Sequence, residues 1–507
     1  MRARVLCEVL LLLALLVLLP VTSIASVRSP GGAGTELIRD DFPLDFIFGS
    51  GTSAYQVEGA AAEDGRTPSV WDTGAHAGKV ANGSTADITC DGYHKYKDDI
   101  KLMKELGLKG YRFSISWSRL IPKGRGDVNP KGLQFYNDFI NELIGNGIQP
   151  HVTLFHYDLP QALEDEYQGW LSPKIVDDFT AYADVCFKEF GDRVSYWTTL
   201  NEPNFLALAG YDTGIFPPFR CSSRFGRNCS IGDSTLEPYI VGYHCILAHA
   251  EVATLYRRKY QVIQKGFIGL NVFVYHFTSL TNSTRDVAAA QRAYDFYTGW
   301  FVNPLVNGDY PSTMKERTGN KMPSFSVYQS EYIKGSFDFL GVNHYATVWV
   351  SDVSSDNSST YERDFGFDMS VKLTVFGMQG MLEHFKNVYG NPPIYIHENG
   401  YSTPQNSSLE DTPRVEYLKM NIGSLLDAVR NGSNARGYFT WSFLDVFELN
   451  DGYQSSFGLY HVDFEDKELT RRPKLSARWY SHFLKGGHNN IVSVSVSNNS
   501  NPSEALA

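Results

Sequence analysis

Eight short β-rich runs separated by helical patterns constrain the fold of this 507-residue chain more than any other feature. Strands that alternate with helices build a parallel sheet, which either closes into a (β/α)₈ barrel or stays open and doubly wound. The count of eight fits the barrel, and long loops account for the remaining length. The runs are Phe46–Gly51, Gly110–Trp117, Gln149–His156, Val194–Asn201, Lys265–Val272, Phe337–Tyr345, Pro393–Glu398 and Arg436–Trp441.

The polar residues at the ends of these runs favour the barrel over the open sheet. In a barrel the carboxyl ends of all strands converge on one mouth, where active sites lie. We therefore predict a single-domain (β/α)₈, or TIM, barrel whose mouth carries these side chains. These residues lie at, or directly after, the carboxyl ends of five of the eight runs: His156, Asn201–Glu202, Asn343–Tyr345, Glu398 and Trp441.

Helix signals lie between the runs. Ser172 is a credible N-cap, Pro173 suits the first helical position and Gly191 the residue after the last turn. The apolar stripe of that helix is Val176, Phe179, Ala183, Cys186, Phe187 and Phe190. A second stripe, at Tyr96, Ile100, Met103 and Leu106, leads to Gly107.

The chain begins with a basic, then apolar, then small-residue pattern typical of a secretory signal peptide. We assign residues 1–26 to that signal, residues 27–486 to the barrel and 487–507 to a Ser/Asn-rich tail without order. Secretion predicts glycosylation at some of the seven Asn-x-Ser/Thr sequons. These are Asn82, Asn228, Asn282, Asn357, Asn406, Asn431 and Asn498. The expected destination is the extracellular space, the cell wall or the vacuole.

Cysteine spacing indicates one disulfide and no metal site, and the net charge excludes some classes of partner. Cys221 and Cys229 lie close together in a polar loop and form the natural disulfide pair in an oxidising compartment. Cys186 and Cys245 lie in apolar helical patterns and are expected to be buried thiols. No Cys/His cluster has metal-ligand spacing, so no metal and no cofactor is predicted. The net charge of −11 argues against nucleic acid, and against a membrane surface after signal cleavage.

Two glutamates directly follow apolar strands, in Asn201-Glu202-Pro203 and Glu398-Asn399-Gly400. These segments resemble the acid/base and nucleophile motifs of glycoside hydrolase family 1. The segment Phe46–Ala60 is similar to the N-terminal signature of that family. Further similarity lies in Tyr111–Arg119, His156–Leu163 and Trp441–Glu448, so that the resemblance extends from Phe42 to Leu484.

The resemblance implies a retaining β-glycosidase with Glu202 as general acid/base and Glu398 as nucleophile. Retention requires the two carboxylates to lie ~5–5.5 Å apart. By the same resemblance, Arg112 and Tyr345 support the nucleophile. The expected substrate-binding residues are Gln56, His156, Asn201, Tyr345, Trp441 and Glu448, with Asn343 and Leu449 as further candidates.

Several positions depart from the family pattern. Leu449 follows the sugar-binding glutamate where tryptophan is usual, Tyr157 stands in a motif that often reads His-Trp-Asp, and His397 replaces a common threonine. The segment Ser370–Gly377 lacks the tryptophan expected near the aglycone. These departures leave the catalytic residues in place and bear on which sugar or aglycone is preferred.

The segment Trp441–Leu449, followed by Gly452-Tyr453, resembles the plant branch of the family. The predicted reaction is hydrolysis of terminal non-reducing β-D-glucosyl residues from small glycosides. Transfer of glucose to a non-water acceptor is the alternative, because it uses the same glutamates and the same covalent intermediate. An inactive sugar-binding protein would have lost a glutamate or its support, and all four residues are present. The oligomeric state stays open.

Overall fold

The computed structural model describes residues 37–223, 229–352 and 377–486, together with the backbone of residues 367–374. The predicted signal peptide and tail lie outside these residues. So do the sequons at Asn228, Asn357 and Asn498, and the side chains of nearly all of the segment Ser370–Gly377.

Eight parallel strands close into a barrel in which each strand pairs with the next, and the last pairs with the first. The predicted (β/α)₈ fold is therefore confirmed. The strands are β1 Ile47–Gly51, β2 Gly110–Ser114, β3 Gln149–Phe155, β4 Tyr196–Leu200, β5 Phe267–Phe273, β6 Phe339–Asn343, β7 Ile394–Asn399 and β8 Ala435–Trp441.

Each predicted run coincides with one barrel strand, and the bounds differ by a few residues. The largest difference lies in the second run, which ends at Ser114 rather than Trp117. Trp117 instead begins a one-turn helix, Trp117–Leu120, in which the Leu120 amide donates to the Ser116 carbonyl. The apolar pattern continues across this turn because the helix is as buried as the strand.

Helices surround the barrel between successive strands. One helix that follows each barrel strand, from β1 to β8, can be given in chain order: Gly92–Leu106, Pro130–Gly145, Lys174–Phe190, Glu237–Tyr256, Trp300–Asn307, Met378–Val388, Thr412–Arg430 and Leu475–Leu484. The remaining α-helices of the described residues are Ala54–Val57, Val70–His76, Trp117–Leu120, Gln161–Tyr167, Pro203–Tyr211, Val262–Gln264, Thr284–Tyr294, Ser312–Thr318 and Val327–Ile333. Two π-helical turns, Arg257–Gln261 and Asp295–Gly299, extend neighbouring helices.

Two details of the predicted helix Lys174–Phe190 are corrected. Its N-cap is Pro173, one residue later than expected, although the Ser172 hydroxyl still accepts from the Lys174 amide at 3.3 Å. Gly191 ends the helix with φ −74°, not in the left-handed conformation. A Cβ there would lie 2.2 Å from the end of the Gln264 side chain, which would have to move to admit a larger residue.

Small sheets and aromatic packing complete the domain. Outside the barrel the structure pairs Thr347–Asp352 with His276–Ser279 and Phe367–Thr374, Thr403–Pro404 with Ser455–Ser456, and Tyr460–Val462 with Arg471–Pro473. Phe339, Tyr395 and Phe439 come from three barrel strands and pack against Ile47 and Tyr196 from two others. Contacts among so many strands are possible only inside the barrel, which is therefore filled with side chains below its mouth.

The cysteines follow the prediction. Cys221 and Cys229 form a disulfide with Cα atoms 5.4 Å apart, and Cys186 and Cys245 are buried free thiols. Cys90 is a further buried thiol. The sequons that the structure describes, Asn82, Asn282, Asn406 and Asn431, are all exposed.

Candidate active site

Glu202 lies at the carboxyl end of β4, where the chain turns into the helix Pro203–Tyr211. Pro203 fits the first helical position, because that position has no intrahelical partner for an amide hydrogen. Glu202 itself is the N-cap and has φ 43°, a left-handed conformation that is costly for a residue with a side chain. Its amide donates to the Asn271 carbonyl at 3.1 Å on β5, which anchors the turn.

Glu398 lies on β7, where the strand pairing is irregular. The register of β7 against β6 shifts between Ile396 and Glu398. Strict alternation would place Glu398 on the opposite face from Tyr395 and His397, and a bulge changes the direction of a side chain beside an active site. The bulge therefore accounts for how Glu398 can turn toward the mouth.

The rest of the Glu-Asn-Gly motif is fixed by its surroundings. The side-chain Nδ2 of Asn399 donates to the His344 carbonyl at 2.6 Å and to the Tyr417 hydroxyl at 2.8 Å. Gly400 lies so close to β8 that a Cβ would come within 1.9 Å of the Trp441 carbonyl oxygen. Only glycine fits there, which explains the third residue of the motif.

Two donors hold the carboxylate of Glu398. Arg112, which is 1% exposed, donates from Nη1 to Oε1 at 2.5 Å. The Tyr345 hydroxyl donates to Oε2 at 2.8 Å. The second amino group of Arg112 donates to Asn201 Oδ1 at 2.6 Å, so one guanidinium joins the two glutamate motifs.

Two different donors hold the carboxyl group of Glu202. Asn343 Nδ2 donates to Oε1 at 2.6 Å, and the Tyr157 hydroxyl donates to Oε2. Asn271 Nδ2 donates to Asn343 Oδ1 at 2.8 Å, and this bond fixes which end of the Asn343 amide faces Glu202. Among the described residues, each glutamate thus accepts a hydrogen bond from one tyrosine, and the cation Arg112 contacts Glu398 rather than Glu202.

These contacts separate the protonation states of the two carboxyl groups. Burial, together with the negative charge of Glu398, raises the pKa of Glu202 to about 8. Burial raises the pKa of Glu398 as well, but the bonds from Arg112 and Tyr345 oppose that rise. Because the cation contacts Glu398 directly, Glu398 is the more acidic of the pair. Glu202 is therefore poised as a proton donor and Glu398 as an anion.

The residues expected to bind the sugar surround the two glutamates. Gln56 Nε2 donates to Glu448 Oε2 at 3.3 Å and to the Phe447 carbonyl at 3.0 Å. Glu448 Oε1 is buried and has no hydrogen-bond partner within the described part of the chain, so it is available to a ligand. Burial is the main cause that raises the pKa of Glu448 well above its usual range, and the nearby Asp445 carboxylate is the second cause.

His156 and Trp441 form a second group at the mouth. Their rings lie 5.8 Å apart with planes inclined by 15°, and both are buried. His156 Nε2 is 3.3 Å from Asn201 Nδ2, and its Nδ1 is buried without a partner among the described residues. Burial and the charge of Arg112 lower the pKa of His156, which keeps the imidazole neutral and able to bond a hydroxyl group.

The structure thus brings Gln56, Arg112, His156, Asn201, Glu202, Asn343, Tyr345, Glu398, Trp441 and Glu448 to one end of the barrel. Leu449 follows Glu448 at the start of a short 3₁₀ turn, Leu449–Asp451, with its side chain half-buried against the core.

Two polar contacts of the site are not apparent from the sequence. Asn271 orients Asn343, and its only sequence signal is a single amide within the apolar run Leu270–Val272. Tyr157 departs from the family pattern, but nothing in that departure indicates its bond to Glu202.

Neither a metal centre nor a membrane span is indicated by the residues that the structure describes. Among them, no three His, Cys, Asp or Glu side chains are grouped as metal ligands would be. The same residues include no helix whose length and apolar character would suit a bilayer crossing.

Comparison with known proteins identifies the family. The sequence profile of glycosyl hydrolase family 1 matches residues 38–488. The chain belongs to this family. It is 55% identical over 469 residues to β-glucosidase 22 of Oryza sativa subsp. japonica, covering 88% of each chain. It is 53% identical to the cyanidin 3-O-glucoside 7-O-glucosyltransferase (acyl-glucose) of Delphinium grandiflorum, covering 88% of this chain and 90% of that one.

A solved structure supports the same assignment. A mutant rice β-glucosidase in a covalent complex with glucose is 43% identical and superimposes with a TM-score of 0.85. The match covers 88% of this chain and 99% of the rice enzyme. As a family 1 member, this chain is a glycoside hydrolase whose substrate is a small glycoside.

Proposed function

We propose that this protein is a retaining β-glucosidase that releases terminal non-reducing β-D-glucosyl residues from small glycosides. One observation carries the proposal. Two buried glutamates lie at the mouth of the barrel, one paired with a buried arginine and the other with its pKa raised to about 8. The relatives named β-glucosidases, and the rice enzyme with its covalently bound glucose, support the choice of sugar and the retaining route.

In the first step a carboxylate oxygen of Glu398 bonds to the anomeric carbon while the bond from that carbon to the leaving oxygen breaks. Glu202 gives its proton to the leaving oxygen, and the aglycone departs as an alcohol. Arg112 and Tyr345 keep Glu398 ionised and oriented before the attack. The products are a glucosyl ester on Glu398 and an ionised Glu202.

In the second step Glu202 accepts a proton from water, whose oxygen bonds to the anomeric carbon. The ester bond breaks, the electron pair returns to the Glu398 carboxylate, and glucose leaves with its β configuration retained. Formation of the ester removes the negative charge that had raised the pKa of Glu202. Glu202 is therefore a weaker acid in the free enzyme and ionises more readily in the intermediate.

The test of this proposal uses two classes of substrate. Glu202→Ala should slow the hydrolysis of alkyl β-glucosides far more than that of activated aryl β-glucosides, which need little protonation. Azide should restore turnover of the variant and yield β-glucosyl azide. Equal slowing of both classes, with no azide product, would contradict the role of Glu202.

Transfer of glucose to an alcohol acceptor proceeds through the same ester. The relative named as an acyl-glucose-dependent glucosyltransferase keeps this alternative open, but two rice relatives of slightly higher identity are named β-glucosidases. The geometry of the two glutamates serves both reactions, so the choice depends on the acceptor. Product analysis of the aryl glucoside reaction with and without an added alcohol separates them, and hydrolysis predicts free glucose as the main product in both.

We further propose that the protein enters the secretory pathway and carries N-linked glycans. The Cys221–Cys229 disulfide and the exposure of the four described sequons support this proposal. Expression in a eukaryotic host should give secreted protein whose mass falls on treatment with a glycosidase that removes N-linked glycans. Protein retained in the cytosol at its unmodified mass would refute it.

A further inference from the structure

Tyr157 occupies an unusual position beside Glu202. It follows β3 with φ 70°, a left-handed conformation that is strained for a residue of this size. The side chain is buried, and its ring packs edge-on against Phe216 at 5.4 Å and His156 at 5.2 Å. This packing points the hydroxyl group at Glu202 Oε2, to which it donates.

We propose that Tyr157 is a positioning residue for the acid/base, whose phenol holds Glu202 Oε2 in the orientation that transfers the proton. The inference rests on the proposed role of Glu202. Asn343 holds Oε1 from β6 and Tyr157 holds Oε2 from the end of β3, so the plane of the carboxyl group is fixed from two sides. A carboxyl group held at both oxygens does not have to be oriented when the leaving oxygen arrives.

The same bond affects the charge on Glu202. A donor to a carboxylate favours the ionised form. Burial and the nearby carboxylate of Glu202 raise the pKa of Tyr157, so the phenol keeps its proton and continues to donate. The other groups that act on the Glu202 site are Glu398 on β7 and Arg112 on β2, with the buried phenols of Tyr275 and Tyr345. None of these is altered when the hydroxyl group of Tyr157 is removed.

Tyr157→Phe removes the hydroxyl group and leaves the packed ring. The alkaline limb of the pH profile of kcat/KM, which follows ionisation of Glu202 in the free enzyme, should move up by about one pH unit. The kcat for an alkyl β-glucoside should fall about tenfold more than that for an activated aryl glucoside, because only the former needs a well-aligned proton. Both effects are absent if the phenol has only a structural role.

Tyr182→Phe is the matched control. Tyr182 is a buried tyrosine on the helix Lys174–Phe190 whose hydroxyl donates to the Leu154 carbonyl at 2.8 Å. Its loss should lower the melting temperature and leave the alkaline limb in place.

A second variant keeps the hydroxyl group of Tyr157 and replaces one ring hydrogen with fluorine. Site-specific 3-fluorotyrosine at position 157 has a more acidic phenol and donates a stronger hydrogen bond, so the alkaline limb should move down, opposite to Tyr157→Phe. The opposite shifts support the proposal. An unmoved limb in the fluorotyrosine protein, or in folded Tyr157→Phe, overturns it. Failure of the wild-type enzyme to release the aryl group would instead refute the proposed function itself.

Discussion

Arg112→Met removes the cation that distinguishes the two glutamates. The substitution replaces a buried guanidinium with an apolar chain of similar length and leaves Glu398 without its bond of 2.5 Å. An adjacent opposite charge lowers the pKa of a carboxyl group by about 1–3 units. Without Arg112, the pKa of Glu398 should therefore rise by that amount.

The sign of the effect on activity follows from the role of Glu398. The nucleophile acts as a carboxylate, so kcat/KM falls as the pH drops below the pKa of Glu398. The acidic limb of the profile for an aryl β-glucoside should therefore move to higher pH by about 1–3 units. At a pH below both the wild-type limb and the shifted limb, kcat/KM should be about 10- to 1000-fold lower than in the wild type.

The matched control is Arg119→Met. Arg119 is fully buried and donates from Nε to Glu58 Oε2 at 2.8 Å, in the same kind of ion pair. Removal of one partner from such a pair costs about 3–5 kcal/mol of stability, less where the carboxylate can take up a proton. Both variants should melt at lower temperature, and only Arg112→Met should move the acidic limb. A folded Arg112→Met enzyme with an unmoved acidic limb would refute the electrostatic reasoning.

Three further predictions concern a glycine beside the nucleophile, the disulfide and the residue after Glu448. Gly400→Ala should lower activity at least tenfold, because the added Cβ would lie 1.9 Å from the Trp441 carbonyl oxygen. The control is Gly423→Ala in the helix Thr412–Arg430, where an added Cβ would have no neighbour within 4 Å. This control should instead raise the free energy of unfolding by about 0.5–1 kcal/mol. Replacing both Cys221 and Cys229 by serine should lower that free energy by about 2–3 kcal/mol in chemical denaturation, and an unchanged midpoint would contradict this. Leu449→Trp should improve kcat/KM for β-glucosides by about tenfold relative to β-fucosides, since tryptophan adds an N–H donor beside Glu448; an unchanged ratio would show that residue 449 does not face the sugar.

Much of the fold is encoded in local patterns. The eight runs predicted the eight barrel strands because buried parallel strands are continuous apolar segments, and such segments are visible without tertiary information. Their exact ends were less predictable. The second run continues through Trp117 because a buried helix and a buried strand have the same apolar composition.

The site residues that lie in a sequence motif were predictable, whereas the contacts between residues from different strands were not. Glu202 and Glu398 each lie in a recognisable segment, whereas the direction of Glu398 depends on a register shift against β6 that no local pattern encodes. The bonds of Tyr157 and Asn271 join residues 45 and 72 positions apart in the chain. Such pairings are set by how the strands close into the barrel, and the sequence alone does not show them.

Covalent labelling tests the central claim, that Glu398 is the nucleophile, most directly. A 2-deoxy-2-fluoro-β-glucoside with a good leaving group should form a stable ester, because the fluorine slows both steps and the good leaving group keeps the first one fast. Intact mass should rise by one fluoroglucosyl group, and peptic mapping should place that group on the peptide that contains Glu398. Glu398→Gln should fold normally and take up no label. Label on any other carboxylate, or on the Glu398→Gln protein, would contradict the account.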